Sequence, residues 1–559
     1  MEQKDDEYYD LGSYRRSITT NDTQAADWFN RGLIWSYAFN HEESAKCFER
    51  AIERDGRCPM AYWGLAYSLG PNYNKPWEFF DGAELEATVQ RTHQAVQRAN
   101  SLAGDHDAVS TVEKALIEAL QSRYPREHAD QDCSIWSQGY ADAMADVYKR
   151  FEADLDVAAL YADALMNLTP WQLWDLKTGE PASGAHTLEA KRVLERAMSL
   201  DGGSHHPGLL HLYIHLMEMS GTPEAALPAA NTLRDLVPHA GHLNHMPTHI
   251  DILVGDYQNA IDSNQKAIMA DEIFFRREDP LKFYTLYRAH NYHFRLYAAM
   301  FAAQSAVALD TVSRLEAALP EELLRVESPP MADWLEGFLA MRVHALIRFG
   351  KWHDIIHLAL PADTKLYSVT TAMTHYAKGV ALAATGKVDQ AEQQRKLFVE
   401  AYKAVPESRM LFNNKCVDIL GVAEKMLEGE LEYRRGNYNV AFAHLGEASK
   451  LSYALPYDEP WGWMQPPSHA LGALLTEQGR YSEALAIYDE DLGVSDSLPR
   501  ALRHPKNVWA LHGRHECLVK LGRDEEAASG KRELDVAVEH ADIPVRSSCF
   551  CRLRTDVVV

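Results

Sequence analysis

Apolar and polar positions along this chain recur in similar blocks, and each block is built around a turn. Four segments carry a glycine, an aromatic or apolar residue two positions later and an alanine five positions later. The glycines of these segments are Gly255, Gly386, Gly436 and Gly479, and those of two weaker copies are Gly350 and Gly522. One unit repeated along a chain is typical of a helical solenoid made of helix-turn-helix pairs. The pattern therefore predicts an all-α solenoid.

Segments rich in proline and glycine interrupt the predicted array, and this composition favours loops. They lie at residues 70–76, 170–183, 327–334, 456–467 and 496–505. Two of these loops carry tryptophan pairs, Trp171 with Trp174 and Trp461 with Trp463. Aromatic loops can wall a binding pocket or fill gaps between irregular repeats, and the sequence leaves both alternatives open.

The helical apolar period is absent from the two ends of the chain. Residues 1–23 are acidic and polar, so we expect a mobile segment there. We expect residues 24–541 to form a single solenoid whose central portion, residues 205–293, is rich in histidine. Residues 542–559 are expected to be a C-terminal tail, with Cys549 and Cys551 as plain thiols.

The composition restricts the partners and the compartment. The formal net charge of −24 argues against nucleic acid as a partner, because counterion release needs a basic surface. No run of about 18 apolar residues occurs, so we expect no membrane span. The acidic first residues are typical of neither a secretory signal nor a transit peptide, and the seven cysteines are scattered. We therefore expect a cytoplasmic protein.

Histidines are concentrated in the middle of the chain. Ten of the 25 histidines lie between residues 205 and 293. Six of them form three pairs at helical spacing: His211 with His215, His245 with His249, and His290 with His293. Residues three or four apart lie on one face of a helix, which is the arrangement that helical metal ligation uses. His205, His206 and His239 stand near proline or glycine, so we expect capping or loop roles for them.

The three histidine pairs predict one or two metal ions. Neighbouring packed helices have axes ~8–10 Å apart, so imidazoles from two of them can meet on an ion ~2 Å from each nitrogen. Glu218 completes a His-x-x-x-His-x-x-Glu motif one turn after His215, and can be either a ligand or a residue that orients an imidazole. The alternative is that the histidines are hydrogen-bonded core residues.

The ligand types restrict the metal only by class. Imidazoles without thiolates suit copper, iron, zinc or nickel, and no cysteine lies between Cys133 and Cys416. No glutamate is placed as a hydrolytic base in the way that His-Glu-x-x-His would place one. We therefore expect a redox metal, copper or iron, while zinc stays possible.

The same residues resemble a tetratricopeptide-repeat family of bacteria and fungi. Trp28, Gly32, Ser44, Phe48 and Ala51 match the aromatic, small and apolar positions of its first repeat. The resemblance covers roughly residues 25–521 and includes the stretches HPGLLHLYIHLME (206–218), GHLNHMPTHI (241–250) and RAHNYHF (288–294). It implies a solenoid whose first helices line a concave surface. It also adds His242 to the recurrent motif residues, so that Glu218 and His242 become candidate catalytic residues beside the six metal ligands.

Two classes of function follow from these residues. The first is a metal-dependent oxidoreductase or oxygenase that acts on a small organic metabolite in the concave groove. The second is an interaction scaffold that binds a protein or peptide partner, with the histidines structural. A zinc-type lyase, cyclase or hydrolase is a third possibility, and the oligomeric state is open.

Overall fold

Helices make up nearly all of the regular structure in the computed structural model, which describes residues 8–105 and 108–552. Strands in these residues are limited to the two-residue pair β1 (Met410–Leu411) and β2 (Asn414–Lys415), which is antiparallel. The predicted all-α fold is therefore confirmed. No helix in the described ranges is both long enough and apolar enough to cross a membrane.

The chain divides into two compact units, where the sequence predicts one array. The first unit takes residues up to 250 and residues 266–278. Its helices are α1 (Thr23–Tyr37), α2 (His41–Arg54), α3 (Pro59–Leu69), α4 (Gly82–Asp105), α5 (Thr111–Gln121), α6 (Ser134–Arg150), α7 (Leu155–Met166), α8 (Thr187–Met198), α9 (Pro207–Glu218), α10 (Leu227–Leu233) and α11 (Gly241–His245). Two further helices, α12 (Pro247–Val254) and α13 (Tyr257–Phe275), contribute residues to both units.

The second unit takes residues 251–265 and the chain from residue 279 onward. Its helices are α14 (Thr285–Phe301), α15 (Ser305–Ala318), α16 (Glu321–Leu324), α17 (Met331–Leu335), α18 (Met341–Arg348), α19 (Trp352–Ile356), α20 (Ser368–Ala384), α21 (Val388–Lys403), α22 (Cys416–Arg434), α23 (Tyr438–Tyr453), α24 (Pro467–Glu477), α25 (Tyr481–Asp491), α26 (Val508–Lys520) and α27 (Asp524–Ala537). Consecutive helices pack in pairs, such as α20 with α21, α22 with α23 and α26 with α27.

The turns of these pairs explain why the glycine pattern recurs. Each repeat glycine found in the sequence joins two helices and has a positive φ, from +61° to +82°. This left-handed backbone is accessible to glycine without the steric cost that a Cβ would bring, and it closes the preceding helix. The predicted helix-turn-helix units are thus confirmed, including the two weaker copies.

Most of the predicted loops are loops in the structure, and two contain short helical turns. Residues 70–76, 170–183 and 456–466 have no helix. The segment predicted at 327–334 runs into α17, and the segment at 496–505 contains a 3₁₀ turn at Arg500–Leu502. Proline and glycine mark the interruptions of the array but do not prevent a single helical turn between them.

Phe48 of α2 holds the first three helices together. Its side chain is fully buried, and the helices on both sides present a glycine to its ring. A Cβ on Gly64 of α3 would lie 2.2 Å from Phe48 Cε1, and a Cβ on Gly32 of α1 would lie 2.9 Å from it. The Phe48 ring therefore fits only because residues 32 and 64 have no side chain where α1 and α3 pack against it.

Residues 8–22, within the segment expected to be mobile, are instead docked on the first unit, while residues 1–7 lie outside the described residues. Tyr9 and Leu11 are buried, and Tyr8 donates a hydrogen bond of 2.7 Å to Glu43. Arg16 forms ion pairs of 2.7–2.8 Å with Asp156 and Asp154. The expectation fails because isolated apolar residues in an extended segment bury as well as those in a helical period.

The C-terminal segment is also packed, as far as residue 552. Ser548 O accepts a hydrogen bond of 2.6 Å from Arg348, and Phe550 lies against Gly350. Cys549 and Cys551 form a disulfide, which differs from the plain thiols expected from the sequence. Their closeness follows from the buried turn around Phe550, which spacing alone does not reveal.

Gly64→Ala tests the packing around Phe48. We expect overpacking to destabilise the protein by ~1–3 kcal/mol, because the ring is confined from both sides and cannot move away. This corresponds to a fall in melting temperature of about 2–8 °C. Gly104→Ala is the matched control, since a Cβ there meets nothing within 4 Å. Equal melting temperatures for Gly64→Ala and the wild type would contradict this account of the packing.

Candidate metal centre

Helix α9 carries the first histidine pair and is buried on every side. All twelve of its residues are buried, including His211, His215 and Glu218. The helix begins at Pro207, where the missing N–H costs nothing, and His206 caps it by accepting a hydrogen bond of 3.1 Å from Leu209 N. The expected capping role of His206 is confirmed. Polar side chains inside such a helix need partners, because burying an unsatisfied polar group is costly.

One nitrogen of each α9 histidine has a protein partner. His211 Nδ1 lies 2.6 Å from the carbonyl oxygen of Tyr37, at the end of α1 where carbonyls lack helical partners. His215 Nδ1 lies 2.9 Å from Glu218 Oε1. An Nδ1–H that donates to an oxygen leaves a lone pair on Nε2. Both Nε2 atoms are buried and, within residues 8–105 and 108–552, have no hydrogen-bond partner.

His242 of α11 joins this pair. Its ring centroid lies 4.9 Å from that of His211 and 6.1 Å from that of His215. One ligand nitrogen from each of the three residues lies within 4.8 Å of the others. Three imidazoles around one point are a usual donor set of a transition metal, and the Nδ1 contacts of His211 and His215 would orient two of them. The catalytic role of His242 stays a prediction, and its position also makes it a potential ligand.

Glu218 lies between two histidines from different helices. Its Oε1 faces His215 Nδ1 at 2.9 Å, and its Oε2 faces His249 Nδ1 at 2.5 Å. The carboxylate is fully buried. Glu218 and these two histidines could also share an ion directly. The observed contacts favour orientation of the imidazoles, because both oxygens face the Nδ1 atoms and leave Nε2 of His215 for a metal.

The second histidine pair does not lie on one helix, although the sequence predicts one. Helix α11 ends at His245, and α12 begins at Pro247, which has no N–H to continue the helix. The two side chains nevertheless meet, with Nε2 of His245 2.7 Å from Nε2 of His249. Because His249 Nδ1–H donates to Glu218, His249 Nε2 carries the lone pair and accepts a hydrogen bond from Nε2–H of His245. A hydrogen-bonded chain thus runs from His245 to Glu218.

The third pair, His290 and His293, lies on α14 in the second unit. His290 packs against Phe412 at 4.8 Å between ring centroids, and His293 packs against Phe338 at 5.3 Å. Neither nitrogen of His293 has a hydrogen-bond partner in the described ranges. Among the described residues of the second unit alone, this pair belongs to no group of three potential ligands. The predicted set of six ligands therefore divides between the two units.

Aromatic residues surround the three-histidine group. The Phe39 ring lies 4.4 Å from His211, 5.4 Å from His242 and 5.8 Å from His215 between centroids. Tyr73 and Trp171 lie 5.0 and 5.9 Å from His215. The sequence pointed to the loop of Trp171 as a possible pocket wall but missed Phe39 and Tyr73. Both lie in the part of the chain that the family resemblance covers, in the stretches SYAFNHEES (36–44) and AYWGLAYSLGPNYN (61–74), and this was the available signal.

Two of these aromatic residues have a strained backbone. Phe39 has φ +54° and Trp171 has φ +61°, both in the left-handed region that non-glycine residues rarely adopt. Such strain persists only where the surroundings impose it, and it concentrates at functional sites.

The other tryptophans of the predicted aromatic loops have structural contacts. Trp174 donates a hydrogen bond of 2.6 Å to Leu216 O and supports α9. Trp461 and Trp463 pack within the second unit and fill gaps between its helices.

Burial keeps the central imidazoles neutral. It lowers the pKa of His215 to about 3, and burial followed by the charge of His215 lowers the pKa of His211 well below its usual value. A neutral imidazole is the form that binds a metal ion. The site therefore presents lone pairs at neutral pH without first losing a proton.

Comparison with known proteins finds distant structural likeness only. No protein-family model and no curated protein matches the chain. Similar solved structures include yeast Tom70 (13% identity, 93% of this chain and 98% of that chain, TM-score 0.32) and apo RapI (13%, 64% and 90%, 0.29). The APC/C hetero-tetramer Cut9–Hcn1 is another (11%, 94% and 97%, TM-score 0.25). At TM-scores this low, the likeness supports no conclusion about the activity or partners of this chain.

The buried neutral histidines predict an acid-sensitive protein. His215, His293 and His344 have a pKa of about 3 in the folded state, lowered first by burial. In the unfolded chain the value is ~6.5, so the unfolded state takes up protons first and stability falls as the pH drops below ~6.5. Urea unfolding of metal-free protein at several pH values between 7.5 and 4.5 measures this slope.

A matched pair of variants identifies the source of the slope. His344→Asn should make the loss of stability below pH ~6.5 shallower, because one depressed pKa is removed. His353→Gln should not change it, since the His353 side chain is exposed. Constant stability of the wild type from pH 7.5 to 4.5 would mean that these imidazoles accept protons while folded.

Proposed function

We propose that the first unit binds one transition-metal ion through Nε2 of His211 and His215 and an imidazole nitrogen of His242. The observation that carries this proposal is the pair of buried α9 histidines, whose Nδ1 atoms are hydrogen-bonded while their Nε2 atoms lack protein partners among the residues described. A core histidine normally satisfies both nitrogens or exposes one to water. Metal binding accounts for the pattern without an energetic penalty.

The donor set favours copper, iron or zinc, because imidazole suits all three and the three-residue group contains no thiolate. Bound there, a metal would supply redox or Lewis-acid chemistry. The chain's own residues would orient the ligands through Tyr37 O and Glu218 and limit access through Phe39, Tyr73 and Trp171. We propose, as the finer form of this function, a metal-dependent oxidoreductase acting on a small organic molecule.

A second candidate function is an interaction scaffold. Arrays of helical pairs commonly present extended surfaces to proteins or peptides. The architecture by itself favours this candidate over an enzyme, because support for catalysis comes only from the histidine geometry and its aromatic surroundings. The two candidates are compatible, since a buried metal can also stabilise a scaffold by binding only the folded state.

Metal content tests the first proposal. Protein purified without a histidine tag should contain about one equivalent of copper, iron or zinc by plasma mass spectrometry. The His211→Ala/His215→Ala double variant should lose the metal while keeping its helical circular dichroism, because α9 is held by its apolar residues. His205→Ala is the control, since His205 is exposed on a 3₁₀ turn before α9.

The role of Glu218 gives a second comparison in the same experiment. If Glu218 orients His215, Glu218→Gln should weaken metal affinity by about 10–100-fold without abolishing binding. If it were a ligand, the variant would lose the metal as completely as the double variant. Wild-type protein that contains no metal and binds none on reconstitution would overturn the proposal.

Chelation separates the two candidate functions. Under the scaffold proposal, a protein that co-purifies with the wild type should also co-purify after treatment with EDTA and with the His211→Ala/His215→Ala variant. Quantitative mass spectrometry of the purified complexes measures this. Loss of the same partner in both metal-free samples would show that binding depends on the metal, and absence of any partner under all conditions would remove the scaffold proposal.

A further inference from the structure

Arg123 is a buried cation with unused hydrogen-bonding capacity. It follows α5, is 2% exposed, and donates from Nη2 to the carbonyl oxygen of Pro71. Its Nη1 is buried and has no hydrogen-bond partner within the described chain. Leaving a donor of a charged group unsatisfied in the interior is among the costlier defects of a fold. A bound group with acceptor atoms would remove that cost.

Three tyrosine rings enclose this guanidinium. Its Cζ lies 5.5, 5.9 and 5.0 Å from the ring centroids of Tyr67, Tyr124 and Tyr140. Tyr67 donates its hydroxyl to Asp163 at 3.0 Å. The hydroxyls of Tyr124 and Tyr140 are buried and have no hydrogen-bond partner in residues 8–105 and 108–552. Nη1 of Arg123 and the hydroxyls of Tyr124 and Tyr140 are thus three neighbouring donors without an acceptor among the described residues.

The Tyr124 hydroxyl and the Arg123 guanidinium both contact the loop that follows α3. A Cβ built on Gly70 would lie 1.8 Å from the Tyr124 hydroxyl oxygen, so this hydroxyl sits directly on the backbone of Gly70. The next residue is Pro71, whose carbonyl oxygen accepts from Arg123. The hydroxyl and the guanidinium therefore reach the same short stretch of chain.

We infer that Arg123, Tyr124 and Tyr140 bind the carboxylate of a small organic molecule. A guanidinium presents its N–H groups in a planar fork that matches a carboxylate, and tyrosine hydroxyls donate to the same oxygens. A monoanion fits the charge of the site better than a phosphate dianion. Arg123 brings one positive charge, so the second negative charge of a phosphate dianion would be buried without a partner.

One loop contacts both the subsite and the proposed metal centre. Pro71 accepts the hydrogen bond of Arg123, and Tyr73, two residues later, packs on His215. Both contacts come from the loop of residues 70–76, which therefore touches the Arg123 guanidinium and the His215 imidazole. This inference deepens the proposed function and rests on it for one point, that the bound carboxylic acid is the substrate.

The test measures carboxylate binding on metal-free protein, so that it does not depend on the metal. Isothermal titration calorimetry in chloride-free buffer compares benzoate with benzamide and acetate with acetamide, each pair differing in charge but little in shape. We expect each carboxylate to bind at least tenfold more tightly than its amide. Arg123→Gln should lose at least tenfold in carboxylate affinity, while Arg126→Gln, at an exposed arginine, should bind as the wild type does.

A second variant keeps the test decisive if Arg123→Gln fails to fold. The Tyr124→Phe/Tyr140→Phe double variant retains both rings around the guanidinium and removes only the two hydroxyls. We expect an unchanged or higher melting temperature, because two buried unsatisfied groups are removed, and at least a tenfold loss of benzoate affinity. A purely structural arginine in a tyrosine cage would leave benzoate binding unaffected by this variant.

Three outcomes would overturn the inference. They are equal binding of carboxylates and amides, wild-type benzoate affinity in the folded tyrosine or arginine variants, and displacement of benzoate by equal concentrations of chloride or phosphate. The metal content of Arg123→Gln should equal that of the wild type. In the wild type, metal without selective carboxylate binding would overturn this inference alone, whereas selective carboxylate binding without metal would overturn the proposed metal site alone.

Discussion

The burial of α9 is the constraint on which the first unit depends. A helix with apolar residues on all sides has no solvent-facing stripe, so each polar side chain on it needs a partner inside the protein. His206 finds one at the helix start, His211 finds one at the end of α1, and His215 finds one in Glu218. The His211 contact ties α9 to α1, and all three contacts orient the imidazoles. Packing and site geometry therefore have the same cause.

Glycine has two different roles in this architecture. At the turns it allows the left-handed backbone that reverses the chain between paired helices. At Gly32 and Gly64 it allows α1 and α3 to approach the ring of Phe48. The first role leaves a recurrent signature in the sequence, because each turn demands the same backbone. The second depends on one aromatic neighbour and is specific to that crossing.

The helical pairs and the pairing of His211 with His215 could be predicted from the sequence, because both follow from spacing along one helix. The break between His245 and His249 was foreseeable from Pro247, whose missing N–H outweighs the four-residue spacing. The contacts of Phe39 and Arg123 could not be predicted, since they bring together residues far apart in the chain. The docked residues 8–22 escaped prediction for a similar reason, because their partners are Glu43, Asp154 and Asp156.

The carboxylate of Glu218 has a mechanical consequence for the histidines that it contacts. Its two oxygens belong to one rigid planar group, and each faces the imidazole of a different helix. Rotation of the carboxylate plane must move both imidazole rings, and a displacement of one ring is transmitted through the carboxylate to the other. The positions of His215 on α9 and His249 on α12 are therefore mechanically coupled, although thirty-four positions separate them in the chain.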